Sequence, residues 1–272
     1  MYVFSCAAPT QHARSHRRGR TERVLGGLLA LGLLVASSGC GSEERPDAAS
    51  AYRDAVEALS DAGTGSYSFV TEADGMQLVR TDGTWQLSPQ RHRSATTLSD
   101  GTGEEDGSAT VTRVVDASQV WTLPAAHAGK DDCWRVTTSD EPASGIPAPL
   151  HLVLNGKGTE WDGERDDVIK ATGPVSAMLR TLGEVTESVS DPAADTQVGF
   201  TLLLDDGRVS ALRTDLGSVL RAAEKGGSTI PEALAPLASE QVEIPMLASF
   251  SDLGEAVDTA PPARTKVRTC KA

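Results

Sequence analysis

The sequence lacks the short motifs that mark most catalytic and metal sites. Its 272 residues contain no G-x-S-x-G, H-E-x-x-H, P-loop or C-x-x-C pattern. The histidines beyond residue 40, which are His92, His127 and His151, are scattered along the chain. These absences argue against nucleophilic, zinc-dependent, nucleotide-dependent and dithiol chemistry. We therefore expect no enzyme activity, no catalytic residue, no metal site and no cofactor.

Positive charge is also scarce. The chain has 38 acidic residues against 25 lysines and arginines, which gives a formal net charge of −13 at pH 7. Such a balance repels nucleic-acid backbones and anionic lipid headgroups. We expect no nucleic-acid partner, and any attachment to a membrane would have to come from an apolar anchor.

Two acidic segments resemble sites only superficially. In "DGTGEEDG" (Asp100–Gly107) the carboxylates have the spacing of a calcium loop, but Arg113 stands where that loop needs a bidentate glutamate. The segment "WDGERDD" (Trp161–Asp167) concentrates carboxylates that could hold a cation or act as an acid and base. Like charges in a polar stretch more often form a solvated loop, and we interpret both segments in that way.

No apolar run is long enough to cross a bilayer, which takes about 20 residues as a helix. The run Val24–Ala36 is shorter and follows a basic segment. That segment contains Arg14, Arg17, Arg18, Arg20 and Arg23. A basic segment, a short apolar core and then small residues are typical of a signal peptide.

The small residues end in Ser37-Ser38-Gly39-Cys40. This stretch resembles the lipobox of bacterial lipoproteins, although Ser37 stands where Leu, Val or Ile is usual. The resemblance implies cleavage before Cys40 and a diacylglyceryl group, with acyl chains such as palmitate, on its thiol. Two or three acyl chains hold a protein at a membrane almost permanently. Ordinary cleavage nearby, which would give an unanchored secreted protein, stays the alternative.

The predicted organisation follows from this interpretation. Residues 1–39 are a signal peptide, residues 40–46 a tether next to the membrane, and residues 47–272 a single domain. The protein would lie on the outer face of the cytoplasmic membrane, anchored by its N-terminal lipid. The excess of arginine over lysine, with abundant Ala, Gly, Asp and Thr, is typical of high-GC actinobacterial genomes.

The remaining cysteines agree with export. Cys6 lies in the removed segment and Cys40 carries the lipid, so Cys133 and Cys270 are left together in an oxidising compartment. We predict a disulfide between them. It would close a long loop and contribute up to about 5 kcal/mol in the chain-entropy model.

Hydrophobic patterning predicts a helix, an antiparallel meander, and then further helices and strands. Tyr52, Ala55, Val56 and Leu59 form one apolar stripe on a helix from about Asp47 to Ala62. Short β-type runs follow, among them "SYSFVTE", "MQLVR", "TWQLS" and "SATVTRVVD".

The second half of the domain carries the clearest signals. A helix begins after Gly173-Pro174 and presents Val175, Met178, Leu179 and Leu182 on one face. In "TQVGFTLLLDDGRVSALRTD" the apolar residues alternate on both sides of Asp-Gly, which predicts a hairpin. A third helical stripe begins at Leu216. In the last strand Pro245 removes a backbone donor, which predicts a sheet edge.

The hairpin "VGFTLLLDDGRVSALRTD" and the late segment "FSDLGEAVDTAPP" (Phe250–Pro262) together resemble the closing half of actinobacterial LppX/LprG-type lipoproteins. Those proteins are relatives of the LolA/LolB carriers. Leu253 stands where that family commonly has an aromatic residue. The resemblance implies an α+β fold in which a strongly curved antiparallel β-sheet, a half-barrel, has helices on its concave face. It also implies an apolar cavity between the two layers that holds acyl chains.

Two classes of function stay open. The first is a non-enzymatic, lipid-anchored protein that binds lipid or acyl chains in this cavity. The second is a surface module with a packed core that senses or binds a partner protein, which the sequence does not identify. Alternating apolar residues fit both. For the first we expect the ligand to touch Met178, Leu179, Phe200, Leu202 and Leu204.

Overall fold

The computed structural model describes residues 45–73, 76–99, 109–116, 119–125, 133–138, 145–182, 188–238, 243–264 and 267. The predicted signal peptide, Cys40 and Cys270 lie outside these residues. Within them, no helix is both long enough and apolar enough to span a membrane.

Four α-helices and eleven strands are present in the described residues. The helices are α1 (Ala48–Ala62), α2 (Ala148–Leu154), α3 (Val175–Leu182) and α4 (Leu216–Lys225), and a 3₁₀ turn covers Ala235–Ala238. The first six strands are β1 (Thr64–Ala73), β2 (Met76–Leu87), β3 (Gln90–Leu98), β4 (Ala109–Asp116), β5 (Gln119–Leu123) and β6 (Arg135–Thr138). The other five are β7 (Lys157–Trp161), β8 (Val168–Pro174), β9 (Gln197–Asp205), β10 (Arg208–Asp215) and β11 (Pro245–Ser251).

All eleven strands belong to one antiparallel sheet. Their order is β6-β5-β4-β3-β2-β1-β11-β10-β9-β8-β7, so β6 and β7 are the two edges and the sheet is not closed. The chain therefore starts at the centre with β1, moves outward to β6, passes to the opposite edge and returns to the centre at β11. The predicted α+β class, with one antiparallel half-barrel sheet and helices packed against it, is confirmed.

The predicted first helix forms where its capping signals lie. The Asp47 side chain accepts a hydrogen bond of 3.0 Å from the backbone of Ser50, which satisfies one of the unpaired donors at the start of α1. Gly63 ends the helix with φ of 70°, a left-handed conformation that glycine adopts without strain. The stripe residues Tyr52 and Leu59 are buried, so α1 packs its apolar side onto the sheet.

The predicted hairpin is β9 and β10. Asp206 and Gly207 both have positive φ, 48° and 74°, as expected for a primed two-residue turn. Along β9 the buried residues alternate with exposed or half-buried ones, because neighbouring side chains of a strand point to opposite faces.

One expectation about the last strand is wrong. Pro245 does not lie at a sheet edge, because β11 is a central strand between β1 and β10. The proline is the first residue of the strand, opposite Asp215, where a missing N–H interrupts little of the ladder. The Asp215 side chain accepts hydrogen bonds from the backbone of Ser218 and from that of Ile244, the residue before Pro245, both at 2.8 Å. It thereby connects the first turn of α4 to the start of β11.

The sheet has two faces that differ in what covers them. We call the side that carries Phe69, Leu202 and Leu212 the helix face, and the opposite side, which carries Lys170, Thr201 and Arg213, the outer face. The main apolar core lies on the helix face. A small second cluster lies on the outer face of β4 and β5, where Val114, Trp121, Leu123 and Trp134 pack with Val267.

Candidate functional site

The helices cover the half of the helix face that belongs to the later strands. α1 contacts β7 and β10, α2 and α3 contact β8, and α4 contacts β9 and β10. Helices α2 and α3 also contact each other. The interface between these helices and strands is therefore built from four helices that are separate in sequence.

The structure places all five predicted ligand-contact residues in the core between the helices and the sheet. Met178 and Leu179 are on α3, and Phe200, Leu202 and Leu204 are on β9. All five are buried members of one continuous apolar cluster, which we call the apolar layer. Leu202 is fully buried and lies in register between Ile169 of β8 and Leu212 of β10.

Glycines let large side chains lie close to the backbone in part of the apolar layer. A Cβ atom on Gly173 would come within 2.6 Å of Leu152 Cδ1, and one on Gly156 would come within 2.9 Å of Phe200 Cζ and overlap Tyr52 Oη. The Tyr52 and Phe200 rings are tilted by 59° with centroids 6.5 Å apart, a favourable aromatic geometry. Packing here is tight.

Tyr52 carries the hydrogen bond that joins α1 to α2. Its hydroxyl donates to Val153 O at 2.7 Å. Burial raises the pKa of Tyr52 above its usual value, so the hydroxyl stays protonated and stays a donor. Periodicity alone predicted Tyr52 as a core residue, and its hydrogen bond could not be found because α2 was not predicted.

Some buried polar side-chain atoms have no hydrogen-bond partner among the described residues. They include Trp85 Nε1 and His151 Nδ1. Trp85 is fully buried and belongs to the same cluster as the five predicted residues. A buried N–H without an acceptor is costly, so such atoms call for an explanation. Burial lowers the pKa of His151, and the nearby Arg180 lowers it further, which favours the neutral ring.

The outer face carries a groove of about 780 Å³ over β8, β9 and β10. Its floor includes Lys170, Thr201 and Arg213, which are directly opposite one another on three adjacent strands. Gly199, together with Ser218 and Arg221 of α4, lines its other part. The sequence analysis did not predict this groove, because a row of residues across three strands appears only once the register is known.

The predicted disulfide has one cysteine in the described residues. Cys133 precedes Trp134, which forms a parallel bridge with Val267, three positions before Cys270. Pairing of Cys133 with Cys270 stays a prediction.

Non-reducing peptide mapping of the exported protein is expected to recover Cys133 and Cys270 in one linked pair of peptides. The physical reason is the bridge between Trp134 and Val267, together with the oxidising compartment that the predicted export would provide. Cys40 should appear in neither peptide. Two free thiols in the exported fraction would contradict the pairing.

Comparisons with known proteins add little to this geometry. No family model matches the chain, and no curated protein matches it. Among solved structures, the chain is similar to LprF from Mycobacterium bovis at a TM-score of 0.38 and 11% sequence identity. That match covers 79% of this chain and 97% of LprF. A similarity this low does not place the chain in a family, so the resemblance seen in the late hairpin stays a prediction.

Proposed function

We propose that this protein is an extracytoplasmic lipoprotein, anchored through Cys40, that binds the acyl chains of a lipid between its helices and its sheet and performs no covalent chemistry. The observation that carries the proposal is that α3, which packs on β8, and the neighbouring strand β9 contribute apolar residues to one buried layer. Met178 and Leu179 come from the helix side of this layer, and Leu202 comes from the sheet. Methylene groups of a ligand could replace these contacts at about 0.8 kcal/mol per buried CH₂.

The covering helices are short enough to separate from the sheet. α2 has 7 residues and α3 has 8, and isolated helices of this length are unstable in water. Their stability comes from packing against the apolar layer. An acyl chain that enters beneath them would keep their apolar sides buried while moving them outward, which is the kind of local opening expected of small elements.

The unpaired indole of Trp85 is consistent with an amphiphilic ligand. Its N–H is fully buried in the apolar layer and has no acceptor among the described residues. The ester carbonyl of a lipid is an acceptor attached to an acyl chain. Trp85 is on β2, four strands from β9, so only a lipid that extends at least about 19 Å across the sheet from Leu202 would reach this donor.

A second candidate is a partner-binding module with a fully packed core. The close approach of Leu152 to Gly173, where a Cβ would lie 2.6 Å from Leu152 Cδ1, favours it, since this part of the apolar layer has no spare room. The two candidates differ in whether the region around Leu202 can accept additional volume.

Replacing Leu202 by tryptophan is expected to abolish binding of a fluorescent fatty acid and to change the free energy of unfolding by less than about 1 kcal/mol. The indole would take the place of the acyl chain beneath the outward-moved helices, whose apolar sides would stay buried. In a packed core, the same change costs roughly 1–3 kcal/mol by overpacking. Urea unfolding and fluorescence titration of the same preparations measure both quantities.

Leu247→Trp is the matched control. Leu247 is 41% exposed and lies on the outer face, so the added ring should alter neither stability nor fatty-acid binding. Native mass spectrometry of the purified parent should also detect a co-purified lipid. A parent protein that binds no fatty acid, together with a marked loss of stability in Leu202→Trp, would favour the packed module instead.

A further inference from the structure

The groove on the outer face is a second feature, separate from the apolar layer by the thickness of the sheet. Lys170 pairs with Thr201 across β8 and β9, and Thr201 pairs with Arg213 across β9 and β10. Residues paired in this way point to the same face. The three side chains therefore form one row, with the hydroxyl in the middle and a cation at each end.

Arg213 is the cation of this row that forms no ion pair with another described residue. Its side chain is exposed, and none of the ion pairs of the described residues includes it. Lys170 differs, since its ammonium lies 2.9 Å from Glu160 and 3.7 Å from Asp162. An ammonium has three donors, which leaves one for a further acceptor.

We propose that Lys170, Thr201 and Arg213 bind the phosphate group of a small anionic ligand. Strands are about 4.8 Å apart, so the two cationic side chains start about 10 Å from each other and can close on a group held between them. The guanidinium of an arginine binds two phosphate oxygens at once, and the threonine hydroxyl adds a donor from below.

The acidic residues of the groove limit the size of the ligand. Asp162, Asp215 and Glu243 also line it. Both carboxylate oxygens of Asp215 accept backbone hydrogen bonds, and Arg221 lies 3.9 Å from one of them. Carboxylates on both sides of the row would repel a long polyanion but leave room for one phosphate. The ligand class is therefore a phosphate monoester, a phosphodiester or the free ion, rather than a nucleic acid.

Gly199 provides a way to block the groove without disturbing the fold. It lies beside Thr201 in the groove, and a Cβ atom there would meet no other atom within 4 Å. A glutamate at this position would extend into the groove and place a negative charge next to the row. The rest of the structure would not have to move.

The test is a calorimetric titration of the purified protein. One arm uses inorganic phosphate and the other uses glycerophosphoglycerol, the headgroup of phosphatidylglycerol. The parent should bind at least one of them. Arg213→Gln should weaken that binding at least tenfold, and Gly199→Glu should abolish it. The matched control Arg208→Gln removes an exposed arginine from the same strand, outside the groove, and should leave binding unchanged.

The two arms separate the sources of the phosphate group. Tighter binding of glycerophosphoglycerol identifies a lipid headgroup, and equal or tighter binding of inorganic phosphate identifies the free ion; either supports the site. Thermal unfolding of each variant shows whether it is folded. If Gly199→Glu is unstable, the binding of the two probes by Arg213→Gln is the result that tests the site. A parent that binds neither probe, or an Arg213→Gln variant that binds as the parent does, overturns the proposal.

Discussion

Replacing Cys40 by alanine is expected to move the protein completely from the membrane fraction to the soluble exported fraction or to leave it as an unprocessed precursor. The thiol is the only group that the predicted diacylglyceryl transfer can modify. Without acyl chains, the net charge of −13 repels an anionic membrane. Metabolic labelling with a fatty-acid analogue, followed by fractionation, measures both the modification and the location.

The chain offers its own control for this experiment. Cys6 is a second cysteine near the N-terminus, within the predicted signal peptide. Cys6→Ala should be labelled and membrane-bound like the parent. Label that persists in Cys40→Ala would remove the lipoprotein interpretation, and with it the anchoring part of the proposed function.

Replacing Gly156 by alanine is expected to lower the free energy of unfolding by about 2–4 kcal/mol. The added methyl would overlap Tyr52 Oη and come within 2.9 Å of Phe200 Cζ. Tyr52 would have to move and give up its 2.7 Å hydrogen bond to Val153 O. Overpacking in a tight region and an unsatisfied buried donor each cost about 1–3 kcal/mol. Urea unfolding followed by circular dichroism measures the change.

Gly199→Ala is the corresponding control, since its Cβ would meet open space. A change at such a surface position is usually within about 0.5 kcal/mol. Equal stability of Gly156→Ala and Gly199→Ala would show that α1 and α2 are not packed through Tyr52 as described. Such a result would indicate that the side chains around Phe200 are packed less tightly than the structure shows.

The elements with strong local signals could be predicted from the sequence. The helix at Ala48–Ala62 has a capping aspartate, a regular apolar stripe and a terminal glycine, and the β9–β10 hairpin has an Asp-Gly turn between two alternating runs. Each of these signals acts within a few residues. The structure places both elements within about one residue of the predicted bounds.

Elements that depend on distant partners were missed or misinterpreted. α2 is only 7 residues long and is held by contacts with α3 and by Tyr52, which lies 101 residues earlier. β2 runs without interruption through Gly83, where two short strands were predicted, because the Tyr67 ring of the neighbouring strand packs against that glycine. Pro245 indicated an edge because a sequence does not show which strands pair.

The same limit applies to the candidate sites. The predicted contact residues of the apolar layer follow from alternation, so Leu202 and Leu204 could be named in advance. The row formed by Lys170, Thr201 and Arg213 could not, because it requires the register of two strand pairs.

The central position of β1 has a consequence for how the chain reaches its native state. β1 pairs with β11, and next to this pairing Thr64 Oγ1 donates to the backbone of Glu255, 191 residues further along. A chain that is synthesised from its N-terminus therefore presents one unpaired edge of β1 until nearly the whole domain has been made. Pairings between such distant segments form slowly, and an exposed strand edge invites association with other chains. The sheet is therefore completed late in folding. A chain that ends before β11 would keep the unpaired edge of β1 exposed, and that edge could pair with other chains.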